Sequence, residues 1–180
     1  VSVLAFTDGK TVVPMVSSMD HKRAGDGDTG PNTGGMGTVA PNPFYTADIA
    51  AECKEKIFLP TVRALAEEGC PFRGCLYFGL MITADGPKVI EYNCRFGDPE
   101  TQVVLPLLDG DLLSIMSACE DGTLDRVSVS FRPLSACCVI MASAGYPGSY
   151  GKGYEITVPE DIGATVYHAG SALSDGRLVT

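Results

Sequence analysis

Three polar side chains at regular spacing along one apolar stretch have the chemistry to bind a metal ion and phosphate. Glu91, Asn93 and Arg95 stand two residues apart. In an extended strand they project to one face together with Val89, while Tyr92 projects to the other. Same-face neighbours lie about 6.5 to 7 Å apart at Cα, so the Glu91 carboxylate and the Asn93 amide can bind one magnesium ion and the phosphates it carries. The alternative is a surface ion pair between Glu91 and Arg95.

The residues after this strand indicate how it ends. Gly97 is followed by Asp98, Pro99 and Glu100, which predicts Asp98 as a helix N-cap, Pro99 as the first helical residue and Glu100 in the first turn. Functional groups in open sheets gather at the carboxyl ends of strands. The two acidic residues could equally serve only as helix caps.

A glycine-rich stretch, residues 24–37, is the second candidate for ligand binding. It is expected to be a loop without regular secondary structure. It contains G-x-G-x-x-G from Gly25, but Pro31 follows and no apolar strand precedes, so a dinucleotide site is excluded. The glycines would let backbone amides approach a small ligand, with Asp28 free to hold an ammonium group or hydroxyls. The alternative is an ordinary flexible surface loop.

The elements that must position these residues can be read from turns and periodicity. Asp-Gly at residues 8–9 and 85–86 predicts two β-hairpins, and the second pairs the Glu91 strand with residues 74–82. Residues 46–68 predict a helix that Thr46 caps, that Pro60 kinks or splits, and that covers a face of the sheet. Two short helices are expected in residues 101–108 and 111–120. Near residue 127 the sequence pattern changes from helical to strand-like.

These elements predict an α+β fold with two units. Residues 1–127 would form a lobe with a mainly antiparallel sheet covered by helices, and residues 128–180 a smaller, incomplete β-rich unit. In the second unit a buried strand is expected at Ser135–Ser143, with short strands at Glu155–Val158 and Thr165–Ala169. A turn is expected at residues 174–176.

Composition excludes several classes of function. The 180 residues carry a net charge of −9, so long-range repulsion disfavours a nucleic-acid partner. The sequence shows no 18-residue apolar span, and no membrane partner is expected. Seven cysteines, an odd number without a C-x-x-C pair, indicate reduced thiols and a cytoplasmic location. The chain begins at Val1 with a residue pattern typical of a strand, and it ends where another strand is expected to begin. It is therefore expected to be a fragment.

Several motifs together closely resemble the glycinamide ribonucleotide synthetases, or phosphoribosylamine-glycine ligases, of the ATP-grasp superfamily. The motifs occur in the same order and at similar spacing, and they are residues 20–23 (DHKR), 30–37 (GPNTGGMG), 91–100 (EYNCRFGDPE), 142–148 (ASAGYPG) and 168–170 (HAG). The resemblance spans the whole chain. It implies the second lobe of the ATP-grasp domain followed by the start of the C-terminal domain.

The resemblance also implies roles for individual residues. Glu91 and Asn93 match the magnesium (or manganese) ligands and, with Lys22, would contact ATP. Arg95 would stabilise the transferring phosphoryl group. The substrate-binding positions, which would hold glycine and 5-phosphoribosylamine, are Asp28, Gly34, Gly35, Arg95 and Asp98. A further acidic ligand that many ATP-grasp enzymes carry on the preceding strand is absent, since residues 78–81 read FGLM.

The activity that the resemblance implies is ATP-dependent ligation of glycine to 5-phosphoribosylamine through glycyl phosphate, in purine biosynthesis. This fragment alone is expected to be inactive, and fusion of the parent chain to other purine-biosynthesis domains is open. Two alternatives remain: another ATP-grasp carboxylate-amine ligase, or a non-catalytic small-ligand-binding module in which Glu91 and Arg95 pair.

Overall fold

The computed structural model describes residues 1–180 and contains thirteen strands and four α-helices. The strands are β1 (Ser2–Asp8), β2 (Val12–Pro14), β3 (Met19–Asp20), β4 (Arg23–Gly25), β5 (Thr29–Asn32), β6 (Gly37–Ala40), β7 (Arg73–Thr83), β8 (Gly86–Asn93), β9 (Leu108–Asp109), β10 (Ser130–Phe131), β11 (Ala136–Val139), β12 (Ala172–Ser174) and β13 (Arg177–Val179). The helices are α1 (Ala47–Cys53), α2 (Leu59–Glu67), α3 (Thr101–Val104) and α4 (Leu112–Asp121). The α+β fold class is therefore confirmed.

The largest sheet has the strand order β2-β1-β7-β8, and all its neighbours are antiparallel. Both predicted hairpins are present in it. Gly86 at the second turn has φ +90°, a backbone conformation that favours glycine and explains the Asp-Gly signal. The sheet therefore holds β8 at its edge, next to the long strand β7.

Two apolar cores cover the two faces of this sheet. On one face Phe78 and Leu80 pack with Phe58 and Val62 from the long helical segment. On the other face, residues such as Tyr77 pack with α3, α4 and the turns that follow them. The prediction that the long helix covers a sheet face is confirmed.

The long helix changes its winding where proline was expected to disturb it. Thr46 caps α1 by accepting a hydrogen bond from the Ile49 amide at 3.4 Å. The five residues Lys54–Phe58 form a π-helical turn between α1 and α2. Pro60 is the second residue of α2, which begins directly after this segment. Because proline has no amide hydrogen to donate, the wider turn lets the chain continue as a helix.

The glycine-rich stretch contains secondary structure, so the expectation of a structureless loop is wrong. β4 and β5 pair as an exposed antiparallel hairpin with an irregular register. Gly27 and Asp28 have φ +66° and φ +58° at its turn, and this is the positive-φ geometry that closes tight hairpins. Residues 33–36 continue without regular structure into β6.

The last fifty residues depart most from the sequence-based expectations. The expected buried strand at Ser135–Ser143 is shorter and half exposed, because β11 is the edge strand of a three-stranded sheet ordered β11-β6-β3. The strand expected at Thr165–Ala169 is absent. Glu155 forms only an isolated bridge with Val179. The expected turn after Ser174 is present and joins β12 to β13.

None of the helices combines the length and the apolar composition needed to cross a bilayer.

Candidate functional site

The geometry of β8 determines where the candidate metal ligands project. Glu91 pairs with Gly79, and Asn93 pairs with Tyr77, on the neighbouring strand β7. Antiparallel partners project to the same face of a sheet, so Glu91 and Asn93 share the face that carries Tyr77. The Tyr92 ring projects to the other face, where it lies 5.6 Å from the ring of Phe78 between centroids. The side chains of Glu91 and Asn93 are exposed and half-buried, respectively.

A β-bulge corrects one part of the predicted alternation. The register shifts between Gly79 and Leu80, so that Leu80 pairs with Val89 while Gly79 pairs with Glu91, and Ile90 is the extra residue. Val89 therefore projects with Leu80 to the helix-covered face and does not share a face with Glu91. Bulges at sheet edges re-aim side chains in this way.

Gly79 leaves room for the Glu91 side chain. A Cβ atom at Gly79 would lie 2.9 Å from Glu91 Cγ and 3.5 Å from Cε1 of Tyr77. The Glu91 side chain thus crosses the neighbouring strand where that strand has no side chain. The absence of a side chain at Gly79 therefore leaves space for the Glu91 side chain.

A buried hydrogen-bond network lies beside Glu91 on the same face. Glu100 is 3% exposed, and its Oε1 accepts hydrogen bonds from the Tyr77 hydroxyl at 2.9 Å and from Ser2 Oγ at 3.1 Å. Ser2 pairs with Gly79 across the sheet. Burial raises the pKa of Tyr77, so its hydroxyl stays protonated and can donate to Glu100. The network ties the Gly97–Glu100 segment to two strands.

This position of Glu100 contradicts the predicted helix start. The helix α3 begins at Thr101 without a side-chain cap, so Asp98 is not an N-cap and Pro99 is not its first residue. The backbone carbonyl of Gly97 instead accepts from the Thr101 amide at 3.1 Å. Glu100 turns into the protein because Tyr77 and Ser2 offer it donors there.

Asp20 adds a second buried carboxylate near this network. Its side chain is 3% exposed, and its Oδ2 lies 3.4 Å from Nζ of Lys22, whose side chain is 54% exposed. Neither carboxylate oxygen of Asp20 has a hydrogen-bond partner. Burial raises the pKa of Asp20, nearby Glu100 raises it further, and Lys22 opposes both. Lys22 is therefore held beside the glycine-rich stretch by a carboxylate that the sequence did not single out.

The glycine-rich stretch contacts the Gly97–Glu100 segment at Gly35. A Cβ atom at Gly35 would collide with the Pro99 ring and lie 2.7 Å from Asp20 Oδ1. The φ of Gly35 is +135°, which further favours glycine. Gly35 is thus required for the close approach of the two segments, and the structure brings Lys22, Gly35 and Asp98 into one region next to β8.

The backbone amides of this stretch already have partners within the protein. Gly34 N–H donates to the Tyr146 hydroxyl at 3.2 Å, and Gly35 N–H donates to Thr33 Oγ1 at 3.0 Å. Met36 N–H donates to the His21 carbonyl at 2.8 Å. In this structure the Gly34 and Gly35 amides therefore bond within the protein, and the approach of these glycines to a ligand stays a prediction.

The other predicted residues are less closely grouped. Arg95 lies beyond the end of β8, so it does not extend the row of Glu91 and Asn93, and its Nη1 donates to the Phe96 carbonyl at 2.9 Å. Asp98 is exposed and accepts a hydrogen bond from Gln102 Nε2 at 2.6 Å. Asp28 lies at the exposed turn between β4 and β5 without a side-chain hydrogen bond or ion pair.

Glu91 and Asn93 fit a magnesium ion that nucleotide phosphates help to bind. Both offer hard oxygen donors from one face of a paired strand, with the Gly79 gap beneath Glu91. No group of three or more His, Cys, Asp or Glu side chains that could hold a metal ion is present. Magnesium usually binds one or two carboxylates together with substrate phosphates and water. Sequence reasoning found these two residues, did not assign a role to Asp20 or Tyr77, and placed Glu100 in a helical turn, because the burial of all three depends on contacts distant in the chain.

Comparison with known proteins defines the class of protein first. Residues 1–101 match the family model described as phosphoribosylglycinamide synthetase, ATP-grasp (A) domain, and residues 136–180 match the C domain of the same synthetase. The antiparallel sheet with its Glu91 edge strand therefore belongs to an ATP-grasp domain.

The relatives agree with these matches. A phosphoribosylamine-glycine ligase of Caldanaerobacter subterraneus subsp. tengcongensis is 50% identical over 180 residues, which are 99% of this chain and 43% of that protein. The human trifunctional purine biosynthetic protein adenosine-3 is 50% identical over 184 residues, 100% of this chain and 18% of that protein. A crystal structure of the phosphoribosylamine-glycine ligase from Thermotoga maritima superposes with a TM-score of 0.89 at 37% identity, covering 99% of this chain and 44% of that one.

The chain belongs to the phosphoribosylglycinamide synthetase family, and the resemblance stated from its motifs is confirmed. It spans less than half the length of these relatives.

Proposed function

We propose that this chain is part of an ATP-dependent ligase that joins glycine to 5-phosphoribosylamine. The observation that carries the proposal is the shared face of Glu91 and Asn93 on the edge strand β8, with Gly79 clearing space for the carboxylate. Family membership supports the choice of substrates. A cytoplasmic location and a role in purine biosynthesis belong to the same proposal.

The proposed reaction has two steps. An oxygen of the glycine carboxylate takes the terminal phosphoryl group of ATP, which gives glycyl phosphate and ADP. The amine nitrogen of phosphoribosylamine then attacks the glycyl carbonyl carbon, phosphate leaves with the electrons of the C–O bond, and the nitrogen loses a proton. The product is glycinamide ribonucleotide. Neither step needs a nucleophilic side chain, because phosphoryl transfer depends on positioning and charge neutralisation.

The residues of this chain have distinct parts in that scheme. Glu91 and Asn93 would hold magnesium or manganese, which when bound neutralises phosphate charge. Arg95 would place its guanidinium near the transferring group after releasing the Phe96 carbonyl, and Lys22 would contact ATP. Gly34, Gly35, Asp28 and Asp98 stay proposed substrate-binding positions, with Gly35 supported by its contact with Pro99 and Asp28 supported only by the resemblance.

The test is Glu91→Ala in the full-length protein. Loss of one charge-stabilising group at a phosphoryl-transfer site costs on the order of 10²- to 10³-fold in turnover. Glycine-dependent phosphate release from ATP and magnesium should fall by that factor, while circular dichroism and the thermal midpoint stay near the parent values because Glu91 is exposed. Glu67→Ala is the matched control, since Glu67 is exposed near the end of α2.

Two results would overturn the proposal. Near-normal phosphate release by Glu91→Ala would remove the metal role, and phosphate release independent of glycine in the parent protein would favour another ATP-grasp ligase. Hydroxylamine, added to trap glycyl phosphate as the hydroxamate with phosphoribosylamine present, checks the intermediate directly.

A further inference from the structure

Residues 34–37 of the glycine-rich stretch are held by a segment more than a hundred positions away in the chain. β11 pairs with β6 directly after this stretch, with Val139 opposite Gly37. The Ile140 amide then donates to the Met36 carbonyl at 3.0 Å. The chain continues through a turn and brings the Tyr146 hydroxyl to the Gly34 amide at 3.2 Å. The contact with Gly34 is the only side-chain hydrogen bond in this connection.

The Tyr146 side chain is supported where it makes this contact. Its ring is half-buried and meets the Tyr150 ring edge-to-face, with centroids 5.6 Å apart. A Cβ atom at Gly34 would lie 3.6 Å from the hydroxyl, an ordinary van der Waals distance, so the hydroxyl packs directly against this backbone. Such an aromatic pair contributes about 0.5–1.5 kcal/mol, and a tyrosine with only two χ angles costs little entropy to order, so Tyr146 can hold the backbone that it contacts.

We propose that Tyr146 is a positioning residue for the substrate site, holding the Gly34–Met36 backbone in the conformation that places Gly35 against Pro99 and Asp20. The inference rests on the proposed function for its kinetic consequence. Without the hydroxyl, Gly34 N–H loses its partner within the protein. The Gly34 peptide is then held only by the hydrogen bonds of the neighbouring residues Gly35 and Met36. Substrates that bind against this stretch then meet a less ordered surface, whereas the metal ligands on β8 stay in place.

The experiment compares Tyr146→Phe with Tyr150→Phe in the full-length protein. Each variant loses one phenolic hydroxyl and keeps both rings, but only the Tyr146 hydroxyl bonds to the glycine-rich stretch. Hydrogen exchange measured by mass spectrometry on peptides covering residues 30–37 should be about fivefold faster in Tyr146→Phe, the factor of one net hydrogen bond. The KM of glycine or of phosphoribosylamine should rise by about the same factor, with kcat and the KM of ATP within about twofold.

The outcomes separate this inference from the proposed function. Equal exchange in the two variants would refute the positioning role, and faster exchange with unchanged KM values would refute its link to the substrates. If the parent protein shows no glycine-dependent turnover, the proposed function fails, while the exchange comparison still decides whether Tyr146 orders the stretch.

Discussion

Gly79→Ala should impair the site although it replaces none of the proposed metal ligands. The new Cβ would lie 2.9 Å from Glu91 Cγ, closer than real side chains approach, so the Glu91 side chain must leave its position over β7. The backbone of Gly79 has no positive φ, and alanine is therefore accommodated by the strand itself. The conflict falls on the Glu91 carboxylate alone.

The magnitudes separate an effect on stability from an effect on function. Replacing a strand glycine by alanine contributes about 0.5–1 kcal/mol, and displacing one side chain from its rotamer costs about 0.5–1.5 kcal/mol. The free energy of unfolding should therefore change by less than about 1 kcal/mol. A misplacement of about 1 Å at a phosphoryl-transfer site can cost about 10²-fold, so kcat/KM of the full-length enzyme should fall about 10- to 10²-fold.

The assay is magnesium dependence. In Gly79→Ala the magnesium concentration for half-maximal phosphate release should rise, and excess magnesium should restore part of the activity, because the carboxylate is displaced and not removed. Gly110→Ala is the control, since a Cβ there would meet nothing closer than Ile115 Cδ1 at 3.8 Å. If the two variants need the same magnesium concentration, the open space at Gly79 is not what positions the Glu91 carboxylate for magnesium.

Two further predictions concern buried carboxylates. Asp8 accepts hydrogen bonds from three backbone amides, so Asp8→Ala should lower the free energy of unfolding by about 2–3 kcal/mol in denaturant titrations. Burial would raise the pKa of Asp8, but these three donors outweigh burial and hold the pKa below its usual value. Asp8 therefore stabilises the fold above about pH 4, and this stabilisation is lost as pH falls through the lowered pKa. The difference in unfolding free energy between the parent and Asp8→Ala should accordingly shrink in acid. The pKa of Asp20 is raised, so its effect on stability depends on pH in the opposite direction. The stabilisation linked to Asp20 is present below about pH 4 and is lost as pH rises through the raised pKa. Glu100→Gln removes the neighbouring like charge, so the variant should lose less stability than the parent between about pH 4 and pH 7; parallel pH curves would show that the two carboxyl groups do not interact.

The parts of the fold that follow from local chemistry could be predicted. Asp-Gly turns give both hairpins of the main sheet, and Thr46 caps its helix as its hydroxyl predicts. Gly69 ends the long helical segment with φ +78°. Each of these signals needs only neighbours within a few residues, so the sequence contains the whole cause.

The parts that failed depend on contacts between distant segments. Glu100 looks like a helix-start residue, but Tyr77 and Ser2 draw it into the interior. The β4–β5 hairpin escaped notice because its residues are polar and lack alternation. The contact between Gly34 and Tyr146 joins residues 112 positions apart, and no periodicity could indicate it.

The bulge at Ile90 lets β8 present Val89 and Glu91 to opposite faces of the sheet. Near the turn, Val89 shares the helix-covered face with its buried partner Leu80, although the Val89 side chain is itself 36% exposed. Two residues later the strand presents Glu91 to the opposite face. Strict alternation gives residues 89 and 91 the same face, so an unbroken ladder could not produce this arrangement. The extra residue reverses once which face the odd-numbered side chains occupy. It lies on an edge strand, where an unpaired backbone group can reach water. The irregularity that defeats the simple period-two prediction is therefore what points the Glu91 and Asn93 oxygens to the face of Tyr77 and Glu100.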